Sequence, residues 1–342
     1  MLSALGWLYG KIIDTRNSHY EKGTLKSFSL GAPTISVGNI TVGGTGKTPL
    51  VSVIAKLLAE RGEKVCIISR GYKRENEKEL VVVSDGKKIL TDVKKAGDEP
   101  FELARKLLGK TIVISDSNRI RAGRFAKENF DTTAFILDDA FQHLRVKRDL
   151  DIVVIDATNP FGNKKTLPSG TLREPLSNLR RADLIVMTRT NLVEDVGNIT
   201  NEIRQHNEEC EIITAKSQIS NISEIFDFHS GNRSDLVKPG GSAISFCALG
   251  NPGNFFQQLK NEGILPAATK AFPDHHDYRQ KDIDLLSSLA SDYSADHFLT
   301  TPKDAVKLAE FKFEFPCYVV ESKLIFENEK RLRSQIYTVL NH

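Results

Sequence analysis

Thr34-Ile35-Ser36-Val37, then Gly38-Asn39-Ile40, then Thr41-Val42-Gly43-Gly44-Thr45-Gly46-Lys47-Thr48: this stretch decides the fold. An apolar run precedes the glycines, and Leu50, Val51, Val53, Ile54, Leu57 and Leu58 follow them at helical spacing. Strand, glycine-rich turn and helix in that order are the context of a phosphate-binding P-loop. Glycines let the backbone curl so that several N–H groups converge on one phosphate, and the helix N-terminus adds its positive end. The loop residues Thr41, Val42, Gly43, Gly44, Thr45, Gly46, Lys47 and Thr48 are therefore the candidate nucleotide contacts, with ATP and Mg2+ as the implied cofactors. Lys47 is expected to reach the β- and γ-phosphates, and the Thr48 hydroxyl to ligate magnesium. One position departs from the usual pattern: Thr41 stands where a first glycine is common, which leaves Gly43 and Gly44 to supply the turn.

Outward from the loop, strand patterns at Lys64–Ser69, Leu80–Val83, Thr111–Ile114, Thr133–Leu137, Ile152–Ile155 and Leu184–Met187 alternate with helical patterns such as Phe101–Leu108 and Arg119–Asn129. That alternation predicts an α/β fold of P-loop NTPase type: a mostly parallel sheet with helices on both faces. A second, smaller α/β domain follows, with strands at Glu211–Thr214, Ala243–Cys247, His297–Thr300 and Cys317–Val320. The expected division is an N-terminal helical segment (1–30), a P-loop domain (31–190) and a second domain (191–342). The last helix is a candidate to pack back on the first domain. A loop containing Gly, Ser and Pro is expected over Ser230–Gly241.

With 342 residues the chain is long enough for about two domains. A net charge of +3 is too small to argue for nucleic acid. Four scattered cysteines (Cys66, Cys210, Cys247, Cys317) show no paired metal-ligand spacing and no disulfide framework, which points to a reducing compartment. No run approaches the roughly 20 apolar residues of a membrane span, and no signal peptide is evident. The first segment crowds Leu2, Leu5, Trp7, Leu8, Tyr9, Ile12 and Ile13, and carries Lys11, Arg16, Lys22 and Lys26 against Asp14 and Glu21. Two readings stand: an interfacial helix resting on an anionic membrane surface, or a helix docked on the protein's own core.

Four other clusters carry chemistry. The Thr133–Leu137 strand ends in Asp138-Asp139, the place where P-loop enzymes hold magnesium. Adjacent acids point to opposite faces, so one is expected on the metal and the other elsewhere. Gly97-Asp98-Glu99-Pro100 reads locally as a helix start with Asp98 as cap, or as an acid presented to accept a proton from an attacking hydroxyl. Phe272-Pro273-Asp274-His275-His276-Asp277-Tyr278 is the densest ionisable cluster; it is either a polar surface loop or a His paired to a carboxylate for base work. Ser69-Arg70-Gly71-Tyr72-Lys73-Arg74 suits an anionic, partly apolar substrate. Arg119, Arg121 and Arg124, and the loop Leu167–Pro175, extend that theme. Thr301-Pro302-Lys303-Asp304 reads as a helix cap.

In order along the chain, Val37–Pro49, Ser69-Arg70-Gly71-Tyr72, Gly97-Asp98-Glu99-Pro100, Leu137-Asp138-Asp139-Ala140-Phe141-Gln142-His143 and Asp274-His275-His276 resemble the tetraacyldisaccharide 4'-kinase (lipid A 4'-kinase) family over nearly the whole chain. Thr at the first loop position is usual there; Pro302 departs from a commoner Glu. The resemblance implies ATP- and Mg2+-dependent transfer of the γ-phosphoryl group to the 4'-hydroxyl of a tetraacyldisaccharide 1-phosphate. It implies Asp98 as base assisted by His275, with Lys47 on the phosphates. Thr48, Asp138 and Asp139 take the metal side, and Arg70, Tyr72, Arg119, His143 and His276 are substrate candidates. It further implies a peripheral enzyme at the cytoplasmic face of the inner membrane; no obligate protein partner is inferred. Two α/β/α domains joined by a short β linker are expected, with domain closure excluding water. The competing reading is a membrane-associated P-loop switch that needs no lipid acceptor.

Overall fold

The structure, a computed structural model, describes residues 2–230 and 239–341; residues 231–238 of the expected 230–241 loop lie outside them. The chain forms two compact units, residues 1–216 with 324–342, and residues 217–323. Residues 191–216, which the sequence groups with the second domain, belong to the first unit. The reason is pairing: the strand opening at Glu211 adds to Leu184–Met187 in parallel register.

In the first unit the elements run α1 (Leu2–Glu21), β1 (Thr34–Gly38), α2 (Lys47–Glu60), β2 (Val65–Ser69), β3 (Val81–Asp85), α3 (Val93–Ala96), α4 (Asp98–Lys106), β4 (Ile112–Ser115), α5 (Arg119–Phe130), β5 (Ala134–Asp138), β6 (Leu150–Asp156), β7 (Leu184–Thr188), α6 (Gly197–His206) and the first part of β8 (Glu211–Glu224). The strand order is β8-β7-β6-β1-β5-β2-β4-β3. Every pairing is parallel except β3 with β4. Side chains alternate across the sheet with period two. Ile35, Val37, Ile67, Ile136, Ile152 and Val154 meet α2 and α4 on one face. Cys66, Ile68, Phe135 and Leu137 meet α5 on the other. This alternation is what lets helices cover both faces.

The second unit takes the rest of β8, α7 (Ile225–Ser230), β9 (Ala243–Cys247), α8 (Pro252–Asn261), β10 (Ala268–Ala271), α9 (Gln280–Asp292), β11 (His297–Thr300), α10 (Pro302–Ala305) and most of β12 (Cys317–Phe326). Its strands run in the order β10-β9-β11-β12, all parallel. Phe246 is its aromatic hub, with the rings of Phe272, Tyr278, Phe298 and Phe313 around it. The final helix, α11 (Glu329–Thr338), returns to the first unit, where Leu332 and Ile336 join the α2 face of the core.

α1 docks on the first unit by its polar and small residues. The Tyr9 hydroxyl donates to Arg173 O (3.0 Å), Asn17 to Glu174 (3.0 Å), Asn178 to Asp14 (2.9 Å) and Arg180 to Glu21 (2.6 Å). A Cβ at Gly6 would collide with Ser169 Oγ, so the loop at 166–175 approaches the helix closely there. Leu2, Leu5, Trp7, Leu8 and Ile12 are left exposed, Trp7 at 67%. The helix thus docks by its polar and small residues, while its apolar residues face outward. No described helix is long and apolar enough to cross a membrane.

Candidate active site

β1 delivers the chain into the glycine loop, and Gly46, at φ +86°, caps α2 with the left-handed turn that only glycine adopts freely. Lys47 is the first helical residue and only 8% exposed. Val42 N–H donates to Thr171 O (2.8 Å), and Arg173 N–H to Ile40 O (2.8 Å), so the start of the loop is tied to the 171–173 segment. The amides left to meet a phosphate are therefore those from Gly43 onward, together with the first-turn amides of α2, which have no intrahelical acceptor.

Lys47 Nζ lies 3.3 Å from Asp139 Oδ1, and Arg173 donates to both Asp139 oxygens at 2.8 Å. Asp139 itself turns at φ +51°, which swings its carboxylate toward these cations. Burial alone would raise its pKa, but Lys47 and Arg173 hold it well below the usual carboxylate range. Asp138, the last residue of β5, behaves oppositely. Its carboxyl is fully buried, accepts from Ser69 Oγ at 2.9 Å, and is pushed up to about 7 by desolvation, then by Glu99 and Asp139. Its second oxygen is buried with no hydrogen-bond partner among the described residues. A buried carboxyl oxygen without a protein partner among the described residues, beside the glycine loop, fits a divalent cation. The adjacent acids face different neighbours because the chain leaves β5 at Asp138 and turns at Asp139.

The Asp138 shift has a stability consequence with a definite sign. A carboxyl whose folded pKa lies above its unfolded value costs stability as pH rises between the two, because the folded state then binds more protons. Asp138→Asn should therefore raise the melting temperature by about 4 °C at pH 8 and leave it nearly unchanged at pH 4, while abolishing activity. Equal effects at both pH values, in thermal denaturation without magnesium, would contradict this account of the site.

The Gly97–Pro100 turn sits against the Ser69–Tyr72 turn. A Cβ on Gly97 (φ +91°) would lie 2.9 Å from Gly71 Cα, so two glycines allow the backbones to touch. Gly97, not Asp98, occupies the N-cap position of α4, without a side-chain cap, which corrects the local expectation of an Asp98 cap. Asp98 and Glu99 fall in the first turn of α4. Arg74, buried beneath, donates to Ser115 O (2.9 Å) and Glu79 O. Arg70 stays mostly exposed, 3.8 Å from Glu77, and Tyr72 is half exposed.

Arg119 is buried, donating to Asp116 O (2.7 Å) and to Asp138 O (3.3 Å), so it braces the end of β5. His143 is surrounded by cations: burial first, then Arg119, Arg148, Arg145 and Arg16, lower its pKa to about 4. It is neutral at physiological pH. In the second unit His275 stands at φ +60° with Nε2 3.3 Å from Lys303 Nζ, which also donates to Asp274 (3.0 Å). His276 bonds Asp282 (3.0 Å) and stacks on Phe272, an arrangement that supports the start of α9. Thr301 and Asp304 form the expected cap, with Thr301 Oγ1 donating to Asp304 at 2.6 Å. Among the described residues no three His, Cys, Asp or Glu group as metal ligands.

The residues of the first unit that sequence reading left out of the site are Arg173, Glu99, Thr188 and Arg189. Arg173 carried a signal, as a cation in the 167–175 loop; Thr188 and Arg189 carried none beyond ending an apolar strand.

Residues 1–341 match the model of a family described as Tetraacyldisaccharide-1-P 4'-kinase. A tetraacyldisaccharide 4'-kinase of Halothermothrix orenii is 42% identical over 90% of this chain and 83% of its own. That of Syntrophotalea carbinolica is 37% identical over 100% of this chain and 92% of its own. Among solved structures, an "apo" form of LpxK from Aquifex aeolicus in complex with ATP superposes with a TM-score of 0.77 at 34% identity, covering 98% of each chain.

Proposed function

The chain belongs to the tetraacyldisaccharide 4'-kinase family, and on that footing we propose how its residues divide the reaction. It is an ATP-dependent kinase of lipid A biosynthesis that transfers the γ-phosphoryl group to the 4'-hydroxyl of a tetraacyldisaccharide 1-phosphate. The observation that carries the division is the Lys47–Asp139–Arg173 cluster beside the fully buried Asp138, at the mouth of the glycine loop.

The loop amides and Lys47 grip the triphosphate. Thr48 and Asp138 would hold Mg2+, with Asp139 steering Lys47 or sharing the metal; the ion would neutralise charge on the transferring group. Asp98 takes the proton from the sugar hydroxyl, and His275 of the second unit assists it. Phosphoryl transfer depends mainly on alignment and charge neutralisation, so a positioned acid supplies what a poor alcohol nucleophile lacks. Arg70, Tyr72, Arg119, His143 and His276 remain proposals as substrate residues. The buried bonds of Arg119 and the Asp282 partnership of His276 support indirect roles for those two, positioning others.

The acceptor is an amphiphile, and the outward apolar residues of α1 support a peripheral position on the cytoplasmic face of the inner membrane. Changing Leu5, Leu8 and Ile12 together to Ser should reduce partition onto anionic lipid vesicles by about 10²-fold while leaving ATP affinity unchanged. Vesicle co-sedimentation and nucleotide titration measure the two quantities; equal loss of both would assign α1 a purely structural role.

A further inference from the structure

Three consecutive carbonyls of the glycine loop are each held from outside it. Asn39 Nδ2 lies 3.5 Å from Gly43 O, Arg189 NH1 donates to Gly44 O at 2.9 Å, and Thr188 Oγ1 donates to Thr45 O at 2.9 Å. In a trans peptide the C=O of one residue and the N–H of the next point in opposite directions across one plane. Holding the carbonyls of Gly43, Gly44 and Thr45 from outside therefore turns the N–H groups of Gly44, Thr45 and Gly46 each away from its own brace.

The braces are themselves fixed. Thr188 ends β7 and is fully buried, with its hydroxyl between Thr45 O and Ile155 O (3.4 Å). Arg189 adopts a left-handed conformation (φ +59°) and pairs with Asp156 Oδ2 at 2.5 Å. Asp156 Oδ1 accepts in turn from the amide (3.0 Å) and hydroxyl (2.7 Å) of Thr158. Asn39 carries Gln142 on its own carbonyl (2.9 Å). A non-glycine residue at positive φ is uncommon and persists where its surroundings require it.

We propose that Thr188 and Arg189, at the carboxyl end of β7, are positioning residues for ATP: they preorganise the glycine loop by turning its peptides so that the amides converge on the triphosphate before nucleotide arrives. Asn39 is the weaker third brace. The proposal rests on the reading of this loop as the ATP site. A preformed set of donors avoids the cost of reorganising at binding, so these side chains control triphosphate affinity without touching the acceptor.

The test uses the full-length enzyme in steady-state kinetics, varying ATP and acceptor separately, with ATP titration and thermal denaturation alongside. Thr188→Val keeps the shape and removes one donor. It should raise KM and Kd for ATP about five- to tenfold, the worth of one hydrogen bond, and leave KM for the acceptor unchanged. Thr188→Ser, which keeps the hydroxyl, should restore ATP affinity. Arg189→Gln combined with Asp156→Asn, which removes the charge pair together, should show the same ATP-selective loss. Unchanged ATP affinity in Thr188→Val, or in the paired variant should Thr188→Val fail to fold, would overturn the proposal, as would equal loss for ATP and acceptor. Failure of the wild-type protein to bind ATP would instead overturn the reading of the loop itself.

Discussion

Replacing Lys47 by Ala is expected to lower kcat/KM by about 10³-fold or more, the largest single loss the site allows. Lys47 is the one loop side chain with a full charge, and α2 fixes its backbone at the end of the glycine loop. Its ammonium is buried against Asp139, so little of its charge is screened by water. The loss should appear in ATP affinity and in turnover together, because the same charge meets the triphosphate before and during transfer. Asp139 keeps Arg173 as a partner in the variant, so the fold should survive and melting should change little. Lys47→Arg should not rescue: a planar guanidinium cannot occupy a buried position shaped for a compact ammonium. Kinetics and melting curves on the same preparations check this, and retention of more than a tenth of wild-type kcat/KM would contradict the role given to Lys47.

The second large effect concerns Asp98. Asp98→Asn should keep ATP affinity while turnover falls by about 10²- to 10⁴-fold, the contribution of a positioned base. Asp98 is in the first turn of α4, and that turn is pressed on Ser69–Tyr72 by the Gly71–Gly97 contact. The backbone that carries Asp98 is thus fixed by close glycine packing. If His275 assists the same proton transfer, His275→Ala should cost much less on the Asp98→Asn background than in the wild type, because residues acting as a unit are not additive. Full additivity in the double variant would separate the two residues. A rise in the Kd for ATP as large as the fall in turnover would remove Asp98 from the chemistry.

Much of this was legible in the chain. The glycine loop and its flanking patterns announced β1 and α2, because a phosphate loop constrains local sequence tightly. Apolar strands with clean boundaries, such as Thr133–Leu137, were found to within a residue or two. β10 was missed: Ala268–Ala271 is short, half polar and alternates in exposure, so it gives no apolar run. The lengths of β8 and β12 were also hidden, since polar residues follow their first apolar run: Lys216-Ser217-Gln218 in β8 and Glu321-Ser322-Lys323 in β12. Of the two readings of Asp98, the cap failed because an Asp shortly ahead of Pro100 imitates one, while the glycine that occupies the cap position carries no side-chain signal. The bracing of the loop by Thr188 and Arg189 was beyond sequence reasoning. Nearly 150 residues separate them from the carbonyls they hold, and only the sheet order β7-β6-β1 brings them together.

The central claim is that this loop delivers a γ-phosphoryl group to a lipid-borne sugar alcohol. The most direct measurement incubates the protein with γ-labelled ATP, Mg2+ and tetraacyldisaccharide 1-phosphate in mixed micelles and follows label in lipid and in free phosphate. Label should pass to the 4'-position of the disaccharide, with ADP formed only when acceptor is present. Hydrolysis at one rate with or without acceptor, and no labelled lipid, would contradict the account and favour a nucleotide switch.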